Sequence, residues 1–287
     1  MTGASAPLTM TVVATLAAVT ACRKTDAPPP VPKPLDDMVT IPAGAFRAGC
    51  DVTQGCKLLE GGPVQPIHDA TLPAFEIDRL EVSVDNYRAC WRAGACSDAN
   101  ERLSAITANL RGDAGVTTEP QYAPYPILDI HLFGRKPMWD VSALEARAYC
   151  DWGGKRLPTA LEWEKAARGI DGRAHPWGND PPTLARTSNG LWNNWPWSFP
   201  LAVGSLPAGA SPYGVLDMVG NADEYVERDD GDSSRILVAG GNSLMAEDMR
   251  PGLTVLPTMA EARSIYGRNG DYVRGFRCAR SVGATNP

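Results

Sequence analysis

Residues 142–169 read as two short helices with their start and stop signals written into the chain. Ser142 followed by Glu145 is a capping box, in which hydroxyl and carboxylate satisfy the first free backbone N–H groups of a helix. Leu144, Ala148 and Trp152 recur on one face at helical spacing, and Gly153-Gly154 ends the run. Thr159 with Glu162 repeats the box, Leu161 and Ala166-Ala167 supply an apolar side, and Gly169 closes the second helix. Two capped helices joined by Gly-Gly-Lys-Arg-Leu-Pro form a compact corner with Cys150 inside it.

A chain of 287 residues with 44% hydrophobic and 21% charged residues supports a real core. Its 28 Gly and 25 Pro predict many turns and little regular structure. The net charge is -6 and Lys and Arg form no long run, so a nucleic-acid partner is not expected. Residues 9–19 form an apolar run too short to span a bilayer permanently, as in the core of a signal peptide. Val19-Thr20-Ala21-Cys22 resembles a bacterial lipobox, in which Cys22 is acylated and becomes the mature N-terminus, although residues 1–10 carry no Lys or Arg. Residues 1–21 are thus expected to be a leader, and the Pro-rich residues 22–37 an extended tether holding residues 38–281 away from a membrane. A short tail, 282–287, follows.

Apart from Cys22, six of the seven cysteines remain, and an even set in an exported chain points to disulfides. Cys50 and Cys56 flank a turn-like pentapeptide, as do Cys90 and Cys96, so each pair would close a small loop. Zinc fits less well, because no Cys-x-x-Cys occurs and His68, His131 and His175 lie far apart. His175 reads as a polar loop residue.

Met38–Gly49 has the pattern of an opening strand and hairpin, Leu72–Val82 that of a strand, and Ser83–Gly94 that of a capped helix. Together with Ala-Tyr-Cys-Asp-Trp-Gly-Gly-Lys-Arg-Leu-Pro-Thr-Ala-Leu-Glu-Trp-Glu, His175-Pro-Trp-Gly-Asn and Tyr213–Tyr225, these segments resemble the formylglycine-generating (sulfatase-modifying factor) family over most of Met38–Arg280. The resemblance implies a C-type-lectin-like α+β fold with low regular secondary structure, pinned by disulfides, with Cys150 bridged to Cys278.

It also implies a structural calcium held by the side chains of Asp217 and Glu224 and the carbonyls of Gly220 and Ala222, an all-oxygen set suited to a hard cation. Asp217 stands where the family commonly has Asn, and Asp223 and Tyr225 replace two tryptophans. The family's other calcium site is matched poorly: Asn189 and Gly190 could supply its first half, and residues 191–203 offer no Asp for the second.

The enzymes of the family bind copper through two cysteines after a Gly-Gly-Ser-Trp-like segment, since Cu(I) requires soft thiolates. Here Gly240-Gly241 is kept, but no cysteine occurs between Cys150 and Cys278, and Met245 and Met249 are read as core filling. No copper is therefore expected. The histidine cluster of the related sulfoxide synthases is missing, and neither a phosphate loop nor a nucleophile elbow occurs. Glu162 and Glu164, two apart on a helix, point to different faces and cannot act as an acid/base pair. The reading is a lipid-anchored, non-catalytic binding or scaffolding module of the bacterial envelope, with an altered oxidoreductase as the alternative. Trp192, Trp195 and Trp197 pack under a loop or form a surface for a protein, peptide or carbohydrate.

Overall fold

The computed structural model describes residues 36–49, 67–97, 133–139, 141–188, 200–232, 236–241, 253–256 and 273–283. Cys22, Cys50, Cys56, His131, Asn189, Gly190, Trp192, Trp195, Trp197, Met245 and Met249 lie outside these described residues, as do the leader and nearly all of the tether.

The first sheet joins the two ends of the domain. β1 (Met38–Ile41) and β9 (Ala279–Ser281) both pair antiparallel with β4 (Phe75–Asp78), which lies between them. Val39, Ile41, Phe75 and Ile77 point inward at the two-residue spacing of a half-buried sheet. They pack with Ala160, Trp163, Ala166 and Ala167 of a helix.

β2 (Gly44–Ala48) does not fold back on β1. It pairs with β3 (His68–Leu72) in a separate two-stranded sheet, so the expected opening hairpin is corrected. The connection explains the split. The buried Lys165 ammonium donates to the carbonyls of Pro42 and Gly44 at 2.7 and 2.9 Å, so a side chain satisfies the groups at the bend. The strand expected over Leu72–Val82 also divides, between the end of β3 and β4.

The third sheet runs β7 (Leu253–Leu256), β6 (Ile236–Ala239), β5 (Asp223–Val226) and β8 (Arg274–Gly275), with β5 and β8 parallel. All four residues of β5 are buried, two of them acidic. That pattern is unusual enough to locate the chemistry described below.

Three α-helices are described. α1 (Val84–Arg92) starts at Ser83, whose hydroxyl accepts from Asn86 N, and Gly94 follows its end in the left-handed region. α2 (Ala143–Trp152) and α3 (Ala160–Arg168) both carry the expected capping boxes. The inward face of α2 is corrected. Ala143, Ala146, Tyr149 and Cys150 are buried, whereas Leu144 is 50% exposed. Cys150 is bonded to Cys278, and Tyr149 stacks on Tyr87 and meets Phe276 edge-on, so these contacts set the rotation of the helix. In α3, Ala166 and Ala167 are buried as expected, and Leu161 only half so.

Both described disulfides match the sequence reading: Cys90 with Cys96, and Cys150 with Cys278 across 128 residues. Such bridges belong to oxidising, extracytoplasmic compartments. Among the described residues no helix is long and apolar enough to cross a membrane.

Candidate functional site

The turn leading into β5 has a backbone that few sequences can adopt. Asp217 (φ 58), Gly220 (φ 83) and Asn221 (φ 63) are all left-handed, a region open to glycine and tolerated by Asn and Asp. Gly220 is required twice over, since a Cβ there would also overlap Ser188 O and Thr187 Oγ1. Thr187 Oγ1 itself donates to Val219 O at 2.7 Å, and Gly220 N donates to Gly240 O at 3.1 Å. At Gly240 (φ 96) a side chain would be strained and would crowd Met218 O and the Trp163 ring. Of the retained Gly-Gly, Gly240 therefore packs against this turn, while Gly241 faces open space.

Beneath the turn sits a buried ionic centre. Glu224 accepts from Arg277 through both oxygens, Nε to Oε2 and Nη2 to Oε1, each at 2.6 Å, and from Trp163 Nε1 at 2.9 Å. Arg277 also donates to the carbonyls of Asp78, Arg79 and Leu216, so its fork is fully used in a fully buried site. Beside it, Asp78 accepts from Lys155 Nζ at 2.7 Å and from Cys278 N at 2.9 Å. Burial raises the Asp78 carboxyl against the pull of Lys155.

Glu81 is the third buried carboxylate near Arg277, and sequence reading did not single it out. Its Oε2 accepts from Asn221 Nδ2 at 2.6 Å and its Oε1 from Ala222 N at 3.0 Å. Burial pushes its carboxyl well above the usual range, and neighbouring Asp217 and Glu224 push it further against the pull of Arg277. Asp217 accepts from Gly204 N at 2.6 Å through Oδ2, and its carboxyl too is raised by loss of water around it.

Besides Asp78, which has Lys155 as its own partner, the carboxylates of Glu81, Asp217 and Glu224 thus share the single guanidinium of Arg277. When ionised they leave an excess of negative charge, which a divalent cation would offset. The donors are all oxygen, as hard cations require, and Glu224 Oε1 accepts one hydrogen bond where Oε2 accepts two. Among the described residues no three His, Cys, Asp or Glu side chains converge to hold a metal by themselves. Backbone carbonyls of Gly220 and Ala222 would have to complete such a shell. The set fits calcium better than any soft metal.

The remaining candidates separate cleanly. His175 is buried and stacks on Trp177, with ring centroids 4.9 Å apart, while His68 is exposed at the start of β3. Glu162 pairs with Arg156 and caps α3, whereas Glu164 binds Gly49 N and Arg168, so the two acids serve different faces. Tyr225, at one of the positions where a tryptophan was expected, donates to Val141 O at 3.0 Å.

The sulfatase-modifying factor enzyme 1-like domain family matches residues 24–282. The formylglycine-generating enzyme of Mus musculus is 30% identical over 226 residues, covering 68% of this chain and 59% of that protein. The hercynine oxygenase of Mycolicibacterium smegmatis is 30% identical, covering 65% of this chain and 44% of its own length. The protein named inactive Cα-formylglycine-generating enzyme 2 of Bos taurus is 30% identical over 66% of this chain and 69% of itself. The chain thus spans less than two thirds of the first two relatives. Among solved structures, PvdO from Pseudomonas aeruginosa superposes with a TM-score of 0.59 at 22% identity, over 87% of this chain and 97% of that one. Treponema denticola variable protein 1 gives 0.52 at 18% identity, over 85% and 94%, a likeness of fold. With its α+β, formylglycine-generating-enzyme-like fold, disulfide-pinned corner and buried acidic turn, the chain belongs to the sulfatase-modifying factor enzyme 1-like domain family.

Proposed function

We propose that this chain is a non-catalytic binding or scaffolding module that carries a structural calcium and is held at a bacterial membrane through acylated Cys22. One observation carries the non-catalytic reading: the segment after Gly240-Gly241 has no cysteine, and Cys150 and Cys278 on either side of it are bonded to each other. The family's copper site of two thiolates has no cysteines at the matching segment to form it. The likeness to a relative named inactive supports the same reading. Calcium would be held by Asp217, Glu224 and the carbonyls of Gly220 and Ala222, where it would supply charge balance and rigidity to the turn. The partner is a protein, peptide or carbohydrate, and Trp192, Trp195 and Trp197 are its proposed contact surface.

The test is direct. Purified protein incubated with Cu(I), oxygen and a cysteine-containing peptide is expected to consume no oxygen and leave the peptide thiol intact. Copper-dependent conversion of that cysteine would overturn the reading and restore the oxidoreductase alternative. In parallel, chelation is expected to lower the melting temperature of the parent protein and to have no effect on Asp217→Ala.

A further inference from the structure

Glu81 lies between β4 and α1, far in sequence from the turn at 217–224, yet both its oxygens are spent on that turn. The two donors it holds, Asn221 Nδ2 and Ala222 N, belong to adjacent residues. Asn221 extends the contact: its Oδ1 accepts from Leu201 N at 2.8 Å and its N donates to Ser188 O at 2.9 Å. Three residues after Leu201, Gly204 N donates to Asp217 Oδ2. Hydrogen bonds thus tie Glu81 to Asn221 and Asn221 to Leu201, and Gly204 of the same segment to Asp217, with Gly220 and Ala222 on either side of Asn221.

Two hydrogen bonds accepted by one buried carboxyl group, one on each oxygen, form a satisfied polar contact that fixes the backbone it touches. Asn221 can sit at φ 63 on its own only at some cost, and the bond to Glu81 stabilises that conformation. The peptide groups so fixed are those whose carbonyls, Gly220 and Ala222, are needed by an all-oxygen cation shell. A sidechain that holds ligand-bearing backbone in place commonly matters to the metal almost as much as the ligands do.

We infer that Glu81, acting with Asn221, is a positioning residue for the cation site: it locks the 220–222 backbone from a distant part of the chain and preorganises the turn for calcium. This rests on the calcium reading proposed above. It adds two residues to that reading, and a physical reason why the turn is tied to the segments at 188 and 201–204.

The experiment uses the full chain stripped with chelator and titrated with calcium chloride, followed by calorimetry and by melting temperature. The parent protein is expected to bind calcium and to melt higher when loaded. Glu81→Gln is expected to weaken calcium binding by about tenfold or more and to shrink the calcium-induced rise in melting temperature. A purely structural role would instead lower the chelated and loaded proteins alike and leave the affinity unchanged. Asn221→Gly provides a second variant for the case in which Glu81→Gln does not fold, since glycine adopts a positive φ without strain while losing the amide. It is expected to weaken calcium binding by a similar factor. Unchanged affinity in the folded variants, with the parent binding normally, would overturn the inference alone. No binding by the parent protein would overturn the calcium reading and the inference together.

Discussion

Arg277 grips Glu224 through two hydrogen bonds of 2.6 Å, and both side chains are sealed from solvent at the junction of β5 with the last strands. Removing one member would leave the other charged and buried without its counter-charge, since Glu224 would keep only Trp163 Nε1 and Arg277 only backbone carbonyls. Arg277→Met is therefore expected to lower the unfolding free energy by about 3–5 kcal/mol. The double variant Arg277→Met, Glu224→Gln should recover part of that loss. Urea unfolding of both variants checks this, and a single variant as stable as the parent would contradict it.

The two described disulfides close loops of very different size, with sequence separations of 128 and 6. If chain entropy dominates, losing Cys150–Cys278 costs about 4–5 kcal/mol and losing Cys90–Cys96 about 2 kcal/mol. Denaturant midpoints of the paired Cys→Ser variants give the comparison. Equal losses would mean that local packing, and not loop closure, decides the contribution.

Burial pushes the Lys136 ammonium down to about 8 from its ordinary 10.5. Below pH 8 both folded and unfolded chains hold this proton, and the cost of burying the charge is fully present. Between pH 8 and 10.5 the unfolded chain binds more protons than the folded one, so stability rises with pH through that window. Relative to Lys136→Met, the urea midpoint of the parent protein should climb from pH 8 to pH 10. Parallel midpoints would show that Lys136 keeps an ordinary proton affinity.

For the anchor, Cys22→Ser is expected to move the protein from the membrane to the soluble fraction of a bacterial host, because no acyl chain could be attached. Fractionation with detergent partitioning reads the outcome directly. A membrane-bound serine variant would remove acylation at this residue.

The capping boxes were legible because each is a signal confined to four residues: Ser142 with Glu145, Thr159 with Glu162. The disulfides were legible because cysteine is rare, and a family likeness assigned the long pair. What failed was phase and partner. Leu144 looked like the core residue of α2, but Ala143, Ala146 and Cys150 recur at the same helical spacing, and the bond from Cys150 chose between the two faces. Ile-Pro-Ala-Gly-Ala announced a turn after β1 without saying that β2 would pair elsewhere, since the buried Lys165 that separates them comes from a distant helix. At the candidate site, Asp217 and Glu224 lie within one motif and could be proposed together. Glu81 and Arg277 reach it only through tertiary contacts, and the one available signal, a charge embedded in an apolar stretch, does not name its partner.

The first sheet also constrains how the molecule can be made. β4 takes one partner, β1, from just upstream and the other, β9, from almost the far end of the chain. A polypeptide delivered N-terminus first must therefore hold β4 with an unpaired edge until nearly all of it has emerged. During that interval the unpaired edge is open to wrong pairings. Truncation just before Ala279 would leave that edge of β4 without its partner.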